Sequence, residues 1–113
     1  MKWYRVEGIE DINKPFIKKV KAGGTSVCLV GYEGIIFALS ARCPHAGGDL
    51  SYGFCNNGKL VCPIHRYSYD LQTGKGSEGQ RDYINTFPVK IEGDAIFVGI
   101  SNFWEKLKQG FNT

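Results

Sequence analysis

Short runs of apolar, β-branched and aromatic residues recur along most of the chain, with polar or glycine-rich stretches between them. Residues of these types are enriched in strands, and each run has the length of a strand rather than that of a helix. The runs therefore predict a succession of short β-strands. The predicted strands cover residues 3–6, 16–21, 25–32, 35–40, 54–55, 59–61, 67–71, 85–91 and 95–100.

Turn signals separate several of these strands. Asn56-Asn57-Gly58 is a strong hairpin signal, because Asn-Gly readily adopts the left-handed backbone of a two-residue turn. Tyr32-Glu33-Gly34 and Glu92-Gly93-Asp94 mark two further turns between strands. Strands that are so short and so many argue against an α/β fold and predict an all-β domain, a small sandwich or barrel.

One short helix is predicted, at the C-terminus. Asn102 is a suitable N-cap, Glu105 follows three residues later as in a capping box, and Gly110 is placed to end the helix. The predicted fold is thus all-β with a short terminal helix.

Composition indicates one domain that covers residues 1–113. A hydrophobic content of 42% is ordinary for a globular protein, and no apolar run approaches the length that spans a bilayer. The start Met1-Lys2-Trp3-Tyr4 leads directly into strand-like residues, without the apolar segment of a signal peptide. We expect a cytoplasmic monomer that does not bind membranes. The formal net charge of +3 is modest and spread along the chain, so nucleic-acid binding is not expected.

The chemistry of the chain is concentrated in two short segments. Cys43-Pro44-His45 and Cys62-Pro63-Ile64-His65 are separated by sixteen residues and contain both histidines of the protein. Two thiolates and two imidazoles form a four-ligand set for iron or zinc. A structural zinc site usually groups two cysteines and then two histidines, whereas here the order is Cys, His, Cys, His. The order favours a Rieske [2Fe–2S] centre, in which two histidines replace two cysteines on one iron, and zinc remains the alternative.

Two further cysteines lie outside these segments. Cys28 lies within a predicted strand, where a small buried hydrophobic residue is its expected role, and Cys55 precedes a turn as a partly exposed free thiol. A bridge between Cys28 and Cys55 is improbable in the cytoplasm.

Four stretches of the chain together carry a family resemblance. They are the opening Trp3-Tyr4-Arg5-Val6, Cys43-Pro44-His45-Ala46-Gly47-Gly48-Asp49-Leu50, Cys62-Pro63-Ile64-His65-Arg66-Tyr67-Ser68-Tyr69-Asp70-Leu71-Gln72-Thr73-Gly74, and Phe87-Pro88-Val89-Lys90-Ile91-Glu92-Gly93-Asp94. These stretches resemble the Rieske-type ferredoxins, including the soluble ferredoxin components of ring-hydroxylating oxygenases.

The resemblance implies a Rieske-like β-sandwich with an inserted cluster-binding subdomain at about residues 42–72. It also implies one [2Fe–2S] cluster. In respiratory Rieske proteins a disulfide joins the two ligand segments, and the matching positions here are Gly48 and Ile64, so that bridge is not expected. The implied cofactor and metal ligands are Cys43, His45, Cys62 and His65.

The implied function is that of a one-electron carrier between redox partner proteins, a reductase and a terminal oxygenase or similar enzyme. No separate nucleophile–base pair and no phosphate-binding glycine loop indicates substrate chemistry, so we do not expect an enzyme. Two alternatives remain. The chain is a small Rieske subunit of a larger oxidoreductase, such as a nitrite-reductase-type complex, or it is a structural zinc module.

Residues near the second segment are expected to tune the cluster. By resemblance, the hydroxyl of Tyr69 donates to a ligand sulfur, while Tyr67 points outward, which places the potential toward the low end of the roughly −150 to +300 mV Rieske range. A third loop that shields the cluster in the family often contains proline, and residues 76–82 contain none. Arg42 and Arg66 flank the two segments and are candidates for docking an acidic partner.

Overall fold

The computed structural model describes residues 1–44, 47–64, 66–80 and 82–101. These ranges form β-strands and one short 3-10 turn, which confirms the all-β prediction, while the predicted helix at residues 102–110 lies outside the described residues. No helix in the described ranges is long and apolar enough to cross a membrane. The elements are β1 (Lys2–Val6), β2 (Phe16–Ala22), β3 (Thr25–Tyr32), β4 (Ile35–Ser40), the 3-10 turn (Leu50–Tyr52), β5 (Phe54–Asn56), β6 (Lys59–Val61), β7 (Ser68–Asp70), β8 (Thr86–Phe87), β9 (Val89–Glu92) and β10 (Ala95–Ile100).

Two antiparallel sheets pack face to face as a sandwich. One has the strand order β1-β10-β9 and the other the order β2-β3-β4-β8. Burial of the apolar side chains between the sheets stabilises the sandwich. The buried residues of this core are Val6, Val20, Ala22, Val27, Leu29, Ala38, Ile96, Val98 and Ile100.

Strand β3 is buried on both faces and separates this core from a second one. Val27 and Leu29 pack between the two sheets, whereas Cys28 and Val30 point to the opposite side. The alternation follows from the two-residue period of a strand. The second core is therefore built directly on the back of the sandwich. Its buried residues are Cys28, Val30, Leu39, Cys43, Leu50, Leu60, Cys62, Tyr69, Leu71 and Ile84.

A small third sheet with the order β5-β6-β7 completes the second core. The predicted hairpin between β5 and β6 is confirmed, and its turn residues Asn57 and Gly58 have φ angles of 51° and 75°. Positive φ at both positions is what a type I′ turn requires. Its strands β5 and β6 lie between the two cysteine segments, and Cys62 follows directly after β6, so the hairpin sets where the second segment begins.

The prediction of a continuous strand over residues 85–91 was wrong. The chain forms β8 and β9 instead, and these strands belong to different sheets: β8 pairs with β4 and β9 pairs with β10. Pro88 lies between them and has no N–H to continue a ladder, although its carbonyl accepts a hydrogen bond of 2.9 Å from Gly99 N. The other predicted strands agree with the structure to within one residue at either end.

Candidate metal centre

Cys43 and Cys62 each begin a loop that is closed by the same kind of backbone hydrogen bond. The backbone N–H of Cys43 donates to the carbonyl of Gly48 at 2.8 Å, and that of Cys62 donates to the carbonyl of Tyr67 at 2.7 Å. In both cases the acceptor lies five residues beyond the cysteine. Residues 43–48 are called the first loop below and residues 62–67 the second loop.

The fourth residue after each cysteine has a left-handed backbone. Gly47 has a φ of 68° in the first loop, and Arg66 has a φ of 57° at the equivalent place in the second. Glycine adopts this conformation freely, whereas a residue with a Cβ is destabilised there by about 1 kcal/mol or more. The second loop therefore retains strain at an exposed arginine.

The two loops bring their cysteine sulfurs together in the core. Cys43 and Cys62 are 1% and 0% exposed, neither forms a disulfide, and their thiols interact with each other. Burial raises the pKa of the Cys62 thiol and the neighbouring Cys43 raises it further, while the N–H of Ile64 opposes them. A bound metal ion would reverse this balance, because a metal ion holds cysteine as thiolate. The pair thus fits the sulfur half of a metal centre, with an amide N–H directed at one sulfur.

Gly48 lets the loops approach closely. A Cβ built on Gly48 would lie 2.9 Å from Cδ1 of Ile64 and 3.5 Å from Sγ of Cys62. By the resemblance, these two positions correspond to the interloop disulfide of respiratory Rieske proteins; here they are neighbours, and neither is a cysteine.

His45 and His65, the other two predicted ligands, lie outside the described residues. The structure therefore brings together two of the four predicted ligands, the cysteines.

Tyr69 lies against the first sulfur, as its predicted role as a donor to that sulfur requires, but its hydroxyl donates elsewhere. Its side chain is fully buried, and its hydroxyl oxygen is 3.4 Å from Sγ of Cys43. The same hydroxyl donates a hydrogen bond of 2.6 Å to Oδ2 of Asp82, which sequence reasoning did not single out. Burial, together with Asp82 and Cys43, holds the pKa of Tyr69 far above its usual value, so the phenol keeps its proton.

Residues 76–82 are called the third loop, and its described residues, 76–80 and 82, are held by hydrogen bonds. Gly76 N donates to the carbonyl of Asp82 at 3.0 Å, and Ser77 N donates to the carbonyl of Ser68 at 3.1 Å. The side chain of Gln80 accepts from Ser68 N at 3.1 Å and donates to Oδ1 of Asp82 at 3.2 Å. These contacts attach the loop to β7 beside Tyr69.

Tyr67 was predicted to point outward, and the structure differs from this prediction. It is half-buried and packs against the core that contains both cysteines. The remaining cysteines match their predictions. Cys28 is a buried free thiol, and burial raises its pKa to about 12. Cys55 is a half-buried free thiol, and burial raises its pKa as well.

Asp49 connects the first loop to the sandwich. It caps the 3-10 turn by accepting from Ser51 N at 2.9 Å, and its other oxygen pairs with Nζ of Lys19 on β2 at 2.8 Å. Burial raises the pKa of Asp49, but the hydrogen bonds from Lys19 and Ser51 outweigh it and hold the pKa below its usual value. Lys19 is thus part of an ion pair rather than a free basic charge.

The family model of the Rieske [2Fe–2S] domain matches residues 2–88. The chain belongs to this family. The ferredoxin component of the naphthalene 1,2-dioxygenase/salicylate 5-hydroxylase systems of Ralstonia sp is 34% identical over 98 residues, which are 85% of this chain and 93% of that protein. The ferredoxin component of the naphthalene 1,2-dioxygenase system of Pseudomonas aeruginosa is 30% identical over 101 residues, which are 88% of this chain and 97% of that protein.

The fold agrees with this membership. The ferredoxin of carbazole 1,9a-dioxygenase from Nocardioides aromaticivorans IC177 superposes with a TM-score of 0.73 at 23% identity, over 89% of this chain and 100% of that chain. The predicted family and cofactor are confirmed: this Rieske protein carries a [2Fe–2S] cluster. It is an electron carrier and not itself a catalytic enzyme.

Proposed function

We propose that this Rieske ferredoxin passes single electrons from a reductase to a terminal oxygenase, and that Cys43, His45, Cys62 and His65 hold its cluster. The observation that carries the ligand assignment is the pair of buried thiols without a disulfide, which two loops with the same closing hydrogen bond bring together. The relatives, matched over most of their length, are ferredoxin components, which favours a separate carrier over a subunit of a larger enzyme.

Different residues of the site have different roles. When bound, the cluster supplies a centre that gains or loses one electron. Cys43 and Cys62 would hold one iron as thiolates, and His45 and His65 would hold the other as neutral imidazoles. The amide of Ile64 donates to the sulfur of Cys62, and the buried side chains around the sulfurs exclude water. Buried surroundings and amide hydrogen bonds are the means by which a protein tunes such a centre.

Exposed side chains around the two loops are suited to docking a partner. Pro44, Pro63 and Ile64 present apolar surface, and Arg42 and Arg66 lie beside them with exposed side chains. An apolar centre with charges at its rim is typical of interfaces in which charge steers the encounter. The arrangement favours a partner with an acidic rim.

We also propose that residues 1–113 form one monomeric domain that works in the cytoplasm, with the cluster-binding subdomain at about residues 42–72. Two features support the subdomain. The third sheet lies entirely within this range, and an isolated bridge between Arg42 and Asp49 closes its start. Gel filtration of the purified protein tests the monomer.

The four cysteines allow a matched test of the ligand assignment. We expect Cys43→Ser and Cys62→Ser to lose iron, acid-labile sulfide and the rhombic EPR signal of the reduced protein. Cys55→Ser and Cys28→Ala are the controls and should keep all three. His45→Ala and His65→Ala should behave as the ligand variants do. Protein that is purified with zinc and without sulfide would contradict the proposal, and so would a Cys55→Ser variant that alone loses the cluster.

Docking is tested by the rate of electron transfer to a ring-hydroxylating oxygenase. We expect Arg42→Glu and Arg66→Glu to slow the second-order rate by about tenfold at low salt, with a smaller effect at high salt. Lys2→Glu makes the same charge change on β1, in the sheet that carries neither loop, and should have little effect. Equal slowing by all three variants would show a general effect of net charge and would contradict this docking surface.

A further inference from the structure

Three side chains lie in a row from the first loop to the third. The hydroxyl oxygen of Tyr69 is 3.4 Å from Sγ of Cys43 on one side and 2.6 Å from Oδ2 of Asp82 on the other. A phenol has one hydrogen to donate, and a carboxylate only accepts. The shorter contact, to the charged acceptor, therefore takes the hydrogen. The oxygen of Tyr69 faces the sulfur of Cys43 with its lone pairs.

The position of Asp82 is fixed by other contacts. Gln80 donates to its second carboxylate oxygen at 3.2 Å, and Gly76 N donates to its carbonyl at 3.0 Å. Tyr69 is fully buried in the core beneath. Because the fold fixes both Asp82 and Tyr69, it also fixes the direction of the hydrogen bond, from the Tyr69 hydroxyl to Asp82.

We propose that Asp82 withholds the hydroxyl hydrogen of Tyr69 from the sulfur of Cys43 and thereby lowers the reduction potential of the cluster. The inference rests on the proposed role of Cys43 as a ligand. A hydrogen bond to a ligand sulfur favours the reduced state, because the sulfur carries more negative charge after the cluster gains an electron. When the lone pairs of the Tyr69 oxygen face the sulfur instead, with the carboxylate of Asp82 nearby, the oxidised state is favoured. Asp82 is thus a positioning residue that acts through Tyr69.

The potential of four proteins tests this: wild type, Asp82→Asn, Tyr69→Phe and the double variant, all at neutral pH. Asparagine keeps the shape of aspartate, and its amide can donate to the oxygen of Tyr69, which frees the hydroxyl hydrogen for Cys43. We expect Asp82→Asn to raise the potential. The rise should be larger with Tyr69 present than with phenylalanine there, by about tenfold in the one-electron reduction equilibrium, or about 59 mV. Tyr69→Phe alone should change the potential little.

Two results of this cycle would overturn the proposal. An equal rise from Asp82→Asn in both backgrounds would mean that the carboxylate acts by its charge alone. A fall of the potential in Tyr69→Phe alone, as large as the fall in the Asp82→Asn background, would mean that Tyr69 already donates to the sulfur. Glu78→Gln removes an exposed carboxylate from the same loop and is the control for charge, so a small shift is expected there.

A second measurement does not depend on the cluster or on the ligand assignment. The 13C chemical shift of Cζ in Tyr69, assigned by its loss in Tyr69→Phe, reports whether the hydroxyl donates to a carboxylate. This chemical shift should change in Asp82→Asn and remain unchanged in Glu78→Gln. A resonance that does not move would overturn the inference whether or not the cluster is present. Absence of iron and sulfide from wild-type protein would instead overturn the proposed function, which separates the two failures.

Discussion

Gly53 lies directly against the carbonyl of Val61: a Cβ on Gly53 would be 2.0 Å from that oxygen. The contact joins the end of the 3-10 turn, which follows the first loop, to the last residue before Cys62. Gly53 has an ordinary extended backbone, with a φ of −82°. Space, and not a left-handed conformation, therefore requires glycine here, and the contact fixes how far apart the two loops lie.

We expect Gly53→Ala to lower the stability of the protein by about 3 kcal/mol, because the added methyl group would push a backbone carbonyl away. A loss of this size would lower the midpoint of thermal bleaching of the cluster by more than about 10 °C. The measurement is the visible absorption of the cluster during heating.

The same substitution at two other glycines controls for the loss of glycine itself. A Cβ on Gly24 would meet no atom within 4 Å, and the nearest atoms to one on Gly48 are the end of the partly exposed side chain of Ile64, which can move aside. Gly24→Ala should be nearly neutral, and Gly48→Ala should cost less than about 1 kcal/mol. Equal losses at Gly53 and Gly48 would show that the backbone clash is not the cause.

Arg66→Gly tests two effects of Arg66 separately: the strain of its left-handed backbone and the proposed role of its charge in docking. Glycine relieves the left-handed backbone, whose cost is about 1 kcal/mol or more, but it also makes the unfolded chain more flexible. We expect a net gain in stability of under about 1 kcal/mol, together with slower electron transfer to the oxygenase because a positive charge is lost. Urea-induced bleaching and the transfer rate are measured on the same preparations.

Arg66→Ala is the control for this variant, because alanine removes the charge and keeps the strained backbone. It should slow electron transfer as much as Arg66→Gly does without the gain in stability. If Arg66→Gly were less stable than the wild type, the contacts of the arginine side chain would stabilise the protein by more than the strained backbone destabilises it.

The sequence predicted the parts of this protein that depend on residue type and spacing. The alternation of strands, the Asn57-Gly58 turn and the family are of this kind, as is the approach of Tyr69 to a cysteine. Asp82 could not be found in this way, because one carboxylate in a polar loop has no pattern and its place beside Tyr69 arises only when the third loop closes. The left-handed Arg66 was missed for a similar reason, since arginine is not a residue that signals this backbone.

Thiol labelling tests the surroundings of the two cysteines that we do not assign to the cluster. Burial raises the pKa of Cys28 to about 12 and also raises the pKa of Cys55, so little of either thiol is ionised at neutral pH. We expect iodoacetamide to label Cys55 slowly in the folded protein and Cys28 only after unfolding, as read by mass spectrometry. In Cys55→Ser, the folded protein should take up no label, and rapid labelling of Cys28 there would contradict its burial.

Acid should weaken the link between Asp49 and Lys19. Because the pKa of Asp49 is lower in the folded protein than in the unfolded chain, its contribution to stability is present above the unfolded value of about 3.9. It is lost as the pH falls through the folded value. Lys19 has the opposite sign: its pKa is raised by the hydrogen bond to Asp49, so its contribution is lost only as the pH rises beyond 10.5. The pair is therefore intact throughout the neutral range.

Asp49→Asn removes the charge of this pair and keeps a side chain that can cap the 3-10 turn. We expect it to cost about 1 kcal/mol or less at neutral pH, since Lys19 is half exposed and solvent screens the pair. The rate of cluster bleaching in a fixed concentration of urea should then be up to about fivefold faster than in wild type. The two rates should converge as the pH falls through the lowered pKa of Asp49 in the folded protein, because protonation then removes the same charge from the wild type. A difference that persists unchanged at acid pH would mean that the carboxylate stabilises the first loop by its shape and not by its charge.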